Sequence, residues 1–346
     1  MRPIRSSYAV LKRAAGALLA PLMFTAALSP ALSQAQEAEP IKLGYAKCAH
    51  CTPLSLTPQN TTGVKLDAIS FNTGNDVLTA LLSKSIDVAQ VTYLHYATAL
   101  DKGFDIVGIS GQINGGSQIL VGNDLAVEPG DWEGLKRVIA QYRDEGKPFR
   151  VAASRGNAQD IHMRGAFLTH GIDINKDVQF INIPNPSDHV QALRRGEVEL
   201  ITSVDPFATQ IREVKAAKFF DFPYEQAAGK LTNLIVTRSD VIKNNPKGVE
   251  EAVRAIVKVN EMMADDKPLF VDTIQKVTGL DNAIATGAVD NLYPDYRMYR
   301  ESAVAIAEMM RDLKYINTDV TEAVEKNLDY SFLEKVTGKS KTDLGY

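Results

Sequence analysis

The sequence predicts an α/β protein made of two lobes, each an open sheet with flanking helices, with a ligand cleft between them. Two series of short apolar segments alternate with amphipathic helical segments, which is typical of sheets covered by helices on both faces. The 346-residue chain is long enough for two hydrophobic cores once an N-terminal leader is set aside. The last third of the chain is predicted to be almost wholly helical.

Residues 1–35 are typical of a secretory signal peptide. Four basic residues within the first 13 precede an apolar stretch over 14–32, and small residues at 33 and 35 suit a signal peptidase. The mature chain is therefore expected to begin at Gln36. No later run approaches the ~20 apolar residues that a membrane-spanning helix needs. We expect an exported, periplasmic protein with no direct membrane span.

The net charge argues against a nucleic-acid partner. Removing the leader, with its four basic and no acidic residues, changes the formal net charge from −4 to −8. A nucleic-acid binder would need a basic surface, which this composition does not indicate. The sequence contains neither low-complexity tracts nor a long linker, so short crossings are expected to join the lobes.

The first series of elements is predicted to begin directly after the leader. Its strands are expected at 41–45, 64–71, 86–91, 104–111 and 118–122. Its helices are expected to begin at Thr52-Pro53, at Asn75-Asp76 and after Thr92-Tyr93, where polar or proline residues precede apolar positions on one helix face. Because helices separate most of these strands, the series predicts a largely parallel sheet.

The second series is predicted to begin after Asn123. Its helices are expected at 132–142, after 157, at 187–194 and at 211–216, and its strands at 149–153, 178–183, 198–203 and 218–222. A helix over 76–82 followed by a strand from Ile86 parallels a helix over 188–194 followed by a strand from Val198. Chance similarity is one explanation of this repeat. Two similar lobes that present their strand ends to one cleft are the other.

A strand over 231–237 is predicted to return to the first lobe. The helices that follow carry apolar stripes typical of core packing, so they are expected to support that lobe. The predicted organisation is a signal peptide over 1–35, a first lobe over 36–122 and 233–346, and a second lobe over 123–232. The crossings are expected near 122–124 and 231–233.

The stretch over 150–160 is predicted to be a strand that ends in a turn of small polar residues and continues as a helix. Such a turn leaves backbone N–H groups without intrahelical partners, and these groups and the helix dipole favour an anion. Ser154 and Asn157 are candidate caps, and Arg155 is a candidate bidentate partner for an oxyanion. An ordinary capped loop is the alternative.

Cys48-Ala49-His50-Cys51 follows the first strand and contains both cysteines of the chain. In an oxidising compartment the first interpretation is a local disulfide between Cys48 and Cys51. Two alternatives stay open. Cys48, His50 and Cys51, with His95 as a further candidate, are suitable ligands for copper or zinc. Thiols beside a helix N-terminus are also suited to redox chemistry.

Several segments, taken in order, resemble a known family. They are Ile41-Lys42-Leu43-Gly44-Tyr45, Phe71-Asn72-Thr73-Gly74, Ala80-Leu81 with Ile86-Asp87-Val88, Gln118-Ile119-Leu120-Val121, Val151-Ala152-Ala153-Ser154, Ala192-Leu193 with Gly196-Glu197-Val198, and Asp205-Pro206-Phe207. Over nearly all of the mature chain they resemble the periplasmic solute-binding proteins of taurine, alkanesulfonate and nitrate ABC importers, whose fold is shared by pyrimidine proteins of thiamine synthesis. The resemblance implies a two-lobed periplasmic-binding-protein fold of type II that closes on a small ligand.

The chain departs from the family pattern in three places. Lys84-Ser85 replaces a family glycine, the loop after the third strand has no acidic residue, and the cysteine loop is not typical of sulfonate binders. These departures concern the ligand more than the fold.

Loops at the strand ends are expected to line the ligand pocket. The candidate ligand-binding residues are Tyr45, Lys47, Cys48, His50, Asn72, Thr73, Tyr93 and Gln112 in the first lobe, and Ser154, Arg155, Asn157 and Asp205 in the second. Their amide, hydroxyl and basic groups suit a small organic anion or a zwitterion, with Asp205 available for a cationic end.

These observations predict a monomeric, non-enzymatic solute-binding component of an ABC importer, with an inner-membrane permease as its partner and no cofactor. One alternative is a protein of the same fold that binds a metal ion or metal complex through Cys48, His50 and Cys51. Another is a pyrimidine or thiamine-precursor binder or enzyme. The export signal and the lack of any Gly-x-Ser-x-Gly, His-Glu-x-x-His or P-loop pattern in the sequence weaken the enzyme alternative.

Overall fold

Two five-stranded sheets organise residues 39–346, which are the residues that the computed structural model describes. The strands are β1 Ile41–Ala46, β2 Leu66–Phe71, β3 Val88–Thr92, β4 Ile106–Gly111, β5 Asn114–Gly115, β6 Ser117–Val121, β7 Arg150–Ala153, β8 Gln179–Asn182, β9 Leu200–Val204, β10 Lys218–Asp221, β11 Asn233–Arg238 and β12 Leu292–Tyr293. The signal peptide predicted over 1–35 lies outside the described residues.

Thirteen α-helices flank these sheets within the described residues. They are α1 Gly74–Leu82, α2 Tyr93–Asp101, α3 Trp132–Asp144, α4 Ala158–Thr169, α5 His189–Arg194, α6 Phe207–Glu213, α7 Ser239–Asn244, α8 Pro246–Asp265, α9 Lys267–Thr278, α10 Asn282–Val289, α11 Arg300–Asp312, α12 Thr321–Lys326 and α13 Ser331–Thr337. Short 3₁₀ helices cover Thr52–Gln59, Pro186–Asp188 and Thr342–Leu344. None of the helices described has the length and apolarity needed to cross a bilayer. The predicted α/β fold of two sheet-based lobes is confirmed.

The two sheets share one strand order. The first runs β2-β1-β3-β11-β4, with β1 parallel to β2 and β3, and β11 antiparallel to β3 and β4. The second, taken from its other edge, runs β8-β7-β9-β6-β10, with β7 parallel to β8 and β9, and β6 antiparallel to β9 and β10. In each sheet the fourth strand is the one that arrives from the other lobe. The repeat seen in the sequence therefore corresponds to two lobes of like topology.

The position of the first crossing is a correction to the sequence prediction. Strand β6 was expected to close the first lobe, but it pairs with β9 and β10 of the second sheet. The chain therefore crosses between the lobes over 112–116, before β6, and not near 122–124. Every residue of β6 is buried, and a strand buried on both faces has the same apolar pattern whichever sheet it joins. The return crossing lies between β10 and β11, over 222–232.

The C-terminal helices pack mainly on the first sheet. Leu43 and Val91 of that sheet share one buried cluster with Val253, Ile306 and Leu333 from α8, α11 and α13. Full burial of each such side chain stabilises the fold by about 1.5–3 kcal/mol. Helix α10 also contacts α6 of the second lobe. The tail therefore supports the first lobe, as the sequence indicates, and also touches the second.

Candidate functional site

A cavity of about 40 Å³ lies where the carboxyl ends of parallel strands from both sheets meet. Crevices outside such strand ends are the usual ligand sites of open α/β sheets. The first lobe contributes residues in or after the carboxyl ends of β1, β2 and β3, and the second contributes residues in or after those of β7, β8 and β9. The lining residues are Ala46, Lys47, Cys48, His50, Cys51, Asn72, Thr73, Gly74, Gln90, Thr92, Ser154, Asn157, Ala158, Gln159, Pro186, Val204 and Phe207.

The size of the cavity limits what this conformation can hold. An engineered apolar cavity of about 150 Å³ in another protein accepts benzene, so a cavity of about 40 Å³ has room for only a few non-hydrogen atoms. The lobes also touch beside it: the side-chain amide of Asn75 donates to the Arg155 carbonyl over 3.1 Å, and the Ala49 N–H donates to the Asp205 carbonyl over 2.7 Å. The two lobes are therefore in direct contact beside the cavity in this structure.

The structure brings together seven of the twelve ligand-binding candidates predicted from the sequence. They are Lys47, Cys48, His50, Asn72, Thr73, Ser154 and Asn157. Five others lie away from the cavity lining, each for a specific reason.

Two of these five are tyrosines that face the interior of the first lobe. Tyr45 and Ala46 are neighbours in β1, and neighbouring residues of a strand point to opposite faces of the sheet. Because Ala46 lines the cavity, the Tyr45 side chain points away from it. Tyr93 is the first residue of α2, and its hydroxyl donates to the Met298 carbonyl over 2.5 Å. Both side chains are buried, so the assignment of Tyr45 and Tyr93 to the lining is not supported.

Gln112 and Arg155 are also placed elsewhere. The side-chain carbonyl of Gln112 accepts from the Asn233 amide over 2.9 Å, inside the crossing segment. The Arg155 guanidinium lies over the Phe180 ring, 4.8 Å from its centroid, and the residue is exposed. An arginine side chain in a polar turn can point into the cleft or away from it, and the position in the sequence does not determine which. The structure does not place Arg155 as an oxyanion partner.

Asp205, the fifth, has a structural role in the second lobe. Both carboxylate oxygens accept from the Gln118 side-chain amide over 2.8 Å, and further bonds come from Thr209 and Asn291 at 2.8 and 3.1 Å. The side chain is fully buried, and this burial raises the pKa of the carboxyl, while the hydrogen bonds lower it. With its oxygens committed to these donors, Asp205 is not available to a cationic ligand group.

The predicted caps of the strand-to-helix turn are organised differently from expectation. Asn157 is the N-cap residue of α4, but its side chain makes no capping bond and instead donates to the Ser154 hydroxyl over 2.8 Å. Ser154 in turn donates to the Pro184 carbonyl over 2.6 Å. The first-turn N–H groups of α4, at the cavity wall, therefore receive no side-chain cap from Asn157. Their partial positive charge favours an anion in the cavity.

Helix α1 also begins at the cavity. Its N-cap residue Thr73 forms a capping box with Asp76, whose backbone N–H donates to the Thr73 hydroxyl over 3.2 Å. Gly74 follows directly and leaves little space: a Cβ at this position would lie 2.7 Å from His95 Cε1 in the same lobe and 2.9 Å from the side-chain oxygen of Asn157 in the second lobe. The N-termini of α1 and α4 thus approach each other across the cavity.

Two polar residues of β3 were missed at the sequence level. Gln90 accepts from the Ala46 N–H over 3.2 Å and donates to Asn233 over 2.7 Å. Thr92 caps α2, where its hydroxyl accepts from the His95 N–H over 3.2 Å. Both line the cavity. A buried glutamine in an otherwise apolar strand was the available signal, because burial of an amide requires hydrogen-bond partners.

The cysteine loop forms one wall of the cavity. Cys48 and Cys51 are joined by a disulfide, as predicted. His50 between them is 2% exposed, and no residue within 39–346 bonds its Nδ1. Burial, with a smaller contribution from His162, lowers the pKa of His50 to about 3. The imidazole is therefore neutral at pH 7.

The electrostatics of the lining are simple. Lys47 is the one lining residue that carries a formal charge at neutral pH, and the side chain is partly buried. Amide and hydroxyl groups surround one part of the cavity, while Ala46, Val204 and Phe207 give it an apolar part. This arrangement suits a small molecule with one negative charge and a short apolar portion.

Comparisons with known proteins agree with the fold. A family model described as the NMT1-like family matches residues 34–274. A search of curated protein sequences found no match.

Three solved structures illustrate the structural similarity. The periplasmic nitrate-binding protein NrtA from Synechocystis PCC 6803 is 16% identical with a TM-score of 0.75, covering 90% of this chain and 91% of that one. A zinc-bound ligand-binding component of an ABC-type import system from Staphylococcus aureus is 15% identical with a TM-score of 0.73, covering 87% and 100%. The periplasmic aliphatic sulphonate-binding protein SsuA from Escherichia coli is 16% identical with a TM-score of 0.66, covering 82% and 91%. At these identities the similarity shows the shared fold.

Proposed function

The chain belongs to the NMT1-like family, and from that premise we propose that it is the periplasmic solute-binding component of an ABC importer that captures a small organic anion by closing two lobes. The observation that carries this proposal is the cavity between the two sheets, with Lys47 as its one formal charge and the N-termini of α1 and α4 at its wall. Proteins of the same fold that are named for nitrate and sulphonate binding support an anionic ligand.

An anion is favoured over a zwitterion. A zwitterion brings a cationic group that needs an acceptor with negative charge, and Asp205 was the residue expected to supply it. The Asp205 carboxylate is instead held by Gln118, Thr209 and Asn291. No acidic residue is among those described at the cavity wall. Desolvating an ammonium group there without an ionic partner would cost binding energy.

The apolar part of the lining favours an organic anion over a purely inorganic one. Val204 and Phe207 offer apolar surface beside the polar groups, which a short alkyl chain would cover at a gain of about 0.8 kcal/mol per buried CH₂. The cavity of about 40 Å³ is smaller than an organic anion, so even a short sulfonate or carboxylate, the ligand class proposed here, requires the lobes to separate slightly around it. Longer chains require the lobes to stay further apart.

Transport follows from closure. A ligand that bridges the two lobes stabilises the closed form, and an inner-membrane ABC permease would recognise that form. The protein acts without a cofactor or a chemical step, as a monomer in the periplasm. Import therefore depends on the difference in affinity between open and closed forms.

Calorimetric titration tests this function. The tag-free protein from Gln36 onward, with its disulfide intact, is titrated with methanesulfonate, ethanesulfonate, taurine, nitrate and a thiamine pyrimidine. We expect one-to-one binding of methanesulfonate or ethanesulfonate, and weaker binding of taurine by at least about tenfold, since each 1.4 kcal/mol changes affinity tenfold.

Dimethyl sulfone serves as the matched control ligand, because it has nearly the shape of methanesulfonate without the charge. It should not bind. Binding of the pyrimidine alone would replace the anion proposal by the thiamine-precursor alternative, and equal binding of the sulfone and the sulfonate would remove the role given to charge.

A further inference from the structure

The cysteine loop contains a second arrangement that anion binding does not use. Cys48, His50 and Cys51 each offer one ligand atom, and these three atoms lie within 4.8 Å of one another. All three side chains are buried at the cavity wall. Two thiolates and an imidazole are a ligand set that suits zinc.

The hydrogen bonding of His50 is the independent observation. Buried polar atoms in proteins are almost always paired, yet the Nδ1 of His50 lacks a partner among residues 39–346. The other buried histidines show the usual behaviour. In His162 the Nδ1 lies 2.8 Å from the Ser117 hydroxyl, and in His189 it lies 2.8 Å from the Ser203 hydroxyl. His50 is thus a buried ring without a structural hydrogen bond at Nδ1, beside two sulfur atoms.

We propose that reduction of the Cys48–Cys51 disulfide converts this wall of the cavity into a zinc site, with Cys48, His50 and Cys51 as protein ligands and a fourth position open to the cavity. In the disulfide form the two sulfurs are bonded to each other and are not ligands. The redox state of the loop therefore selects between a metal-free pocket and a metal site.

The chemistry balances with a dithiol as the reductant. The dithiol transfers two electrons and two protons to the disulfide, which becomes two thiols, while the dithiol becomes a disulfide. Zinc then displaces the two thiol protons and forms two Zn–S bonds and one Zn–N bond. The resulting unit of Zn²⁺ and two thiolates has no net charge, which limits the cost of burying it.

The geometry requires only a local change. Tetrahedral zinc with Zn–S bonds of about 2.3 Å places its sulfurs about 3.8 Å apart, so the bonded sulfur atoms must separate once the disulfide opens. The backbone of the loop is already anchored: the Ala49 N–H bonds the Asp205 carbonyl, and the N–H groups of Cys51 and Thr52 bond the Cys48 carbonyl. Three protein ligands with an open fourth position are typical of zinc sites that hold an exchangeable ligand.

Zinc titration of the two redox forms tests the site. Tag-free protein is prepared with the disulfide intact or reduced by a phosphine that is then removed without air. We expect the reduced form to bind one equivalent of Zn²⁺ with release of two protons, and the disulfide form to bind none at this site. Cd²⁺ should add a thiolate-to-metal absorption band to the reduced form alone.

Variants assign the ligands. Cys48→Ser and His50→Gln should each weaken zinc affinity of the reduced protein by at least about 100-fold, since even loss of an outer-shell partner costs about 10–100-fold. His170→Gln is the matched control, because His170 stacks on Trp132 in the second lobe, and it should keep the wild-type affinity. Circular dichroism of each variant verifies that it is folded.

Three results would overturn the proposal: no zinc binding by the reduced protein, equal binding by both redox forms, or wild-type affinity in the folded His50→Gln variant. The zinc site does not depend on the proposed anion function. Anion binding is measured on the disulfide form without metal, so failure of one leaves the other standing.

Discussion

Replacing Lys47 by methionine tests the electrostatic basis of ligand capture. The substitution removes the one formal charge of the lining and keeps a side chain of similar length. Two unit charges 4 Å apart attract by about 4 kcal/mol at an effective dielectric constant of 20. Lys47 is partly exposed, so solvent screens part of this attraction. A hydrogen bond to a charged group contributes about 1.5–3 kcal/mol, which corresponds to a loss of affinity of roughly 10- to 150-fold.

The assay is calorimetric titration with ethanesulfonate at several salt concentrations. Wild-type affinity should fall as salt rises, and the affinity of Lys47→Met should depend less on salt. Lys42→Met is the matched control, because Lys42 lies exposed at the start of β1, away from the cavity. A Lys47→Met protein that binds within about twofold of wild type would refute the reasoning.

Three further predictions concern packing beside the cavity, the disulfide and pH. Gly74→Ala should weaken anion affinity about tenfold, because its Cβ would lie 2.7 Å from His95 Cε1 in the same lobe and 2.9 Å from the Asn157 side-chain oxygen in the other, which disturbs the packing beside the cavity; unchanged affinity by calorimetry would contradict this. The free energy of unfolding of a Cys48→Ser/Cys51→Ser double variant, measured by thermal unfolding, should fall by only about 2 kcal/mol, because the disulfide closes a very short loop with a separation of three residues. A much larger loss would contradict this reasoning. Unfolding free energy should fall as pH falls from 6.5 towards 4, by about 1–2 kcal/mol per buried histidine at pH 5. Burial lowers the pKa of four histidines below the value in the unfolded chain, to about 3 for His50 and to about 4 for His95, His162 and His189. The stability that these neutral imidazoles contribute is therefore present above pH 6.5 and is lost on acidification. Denaturant midpoints that stay constant between pH 6.5 and 5 would contradict this prediction.

The fold could be predicted because its signals are local. Apolar strands alternate with capped helices along the chain. The two similar helices predicted over 76–82 and 188–194 occupy equivalent positions in the two lobes, whose sheets have the same strand order. The first crossing was misplaced because β6 is buried throughout, and its partners β9 and β10 lie far away in sequence. Strand pairing of that kind is not encoded in periodicity.

The site was predictable in part. Position at a strand end predicts Lys47, Asn72 and Ser154 near the cleft, and all three line the cavity in the structure. Position in the sequence does not determine the direction of a side chain. The Arg155 guanidinium lies over the Phe180 ring, and the Asp205 carboxylate accepts a hydrogen bond from Gln118. These outcomes depend on neighbours brought in by the tertiary fold.

A crystal structure of the protein with ethanesulfonate tests the central claim most directly. We predict one anion enclosed between the lobes, with its sulfonate oxygens at Lys47 and at the backbone N–H groups that begin α4, and its ethyl group beside Phe207. Density for the anion only on the outer surface, with the cavity between the strand ends filled by protein or water, would contradict the account.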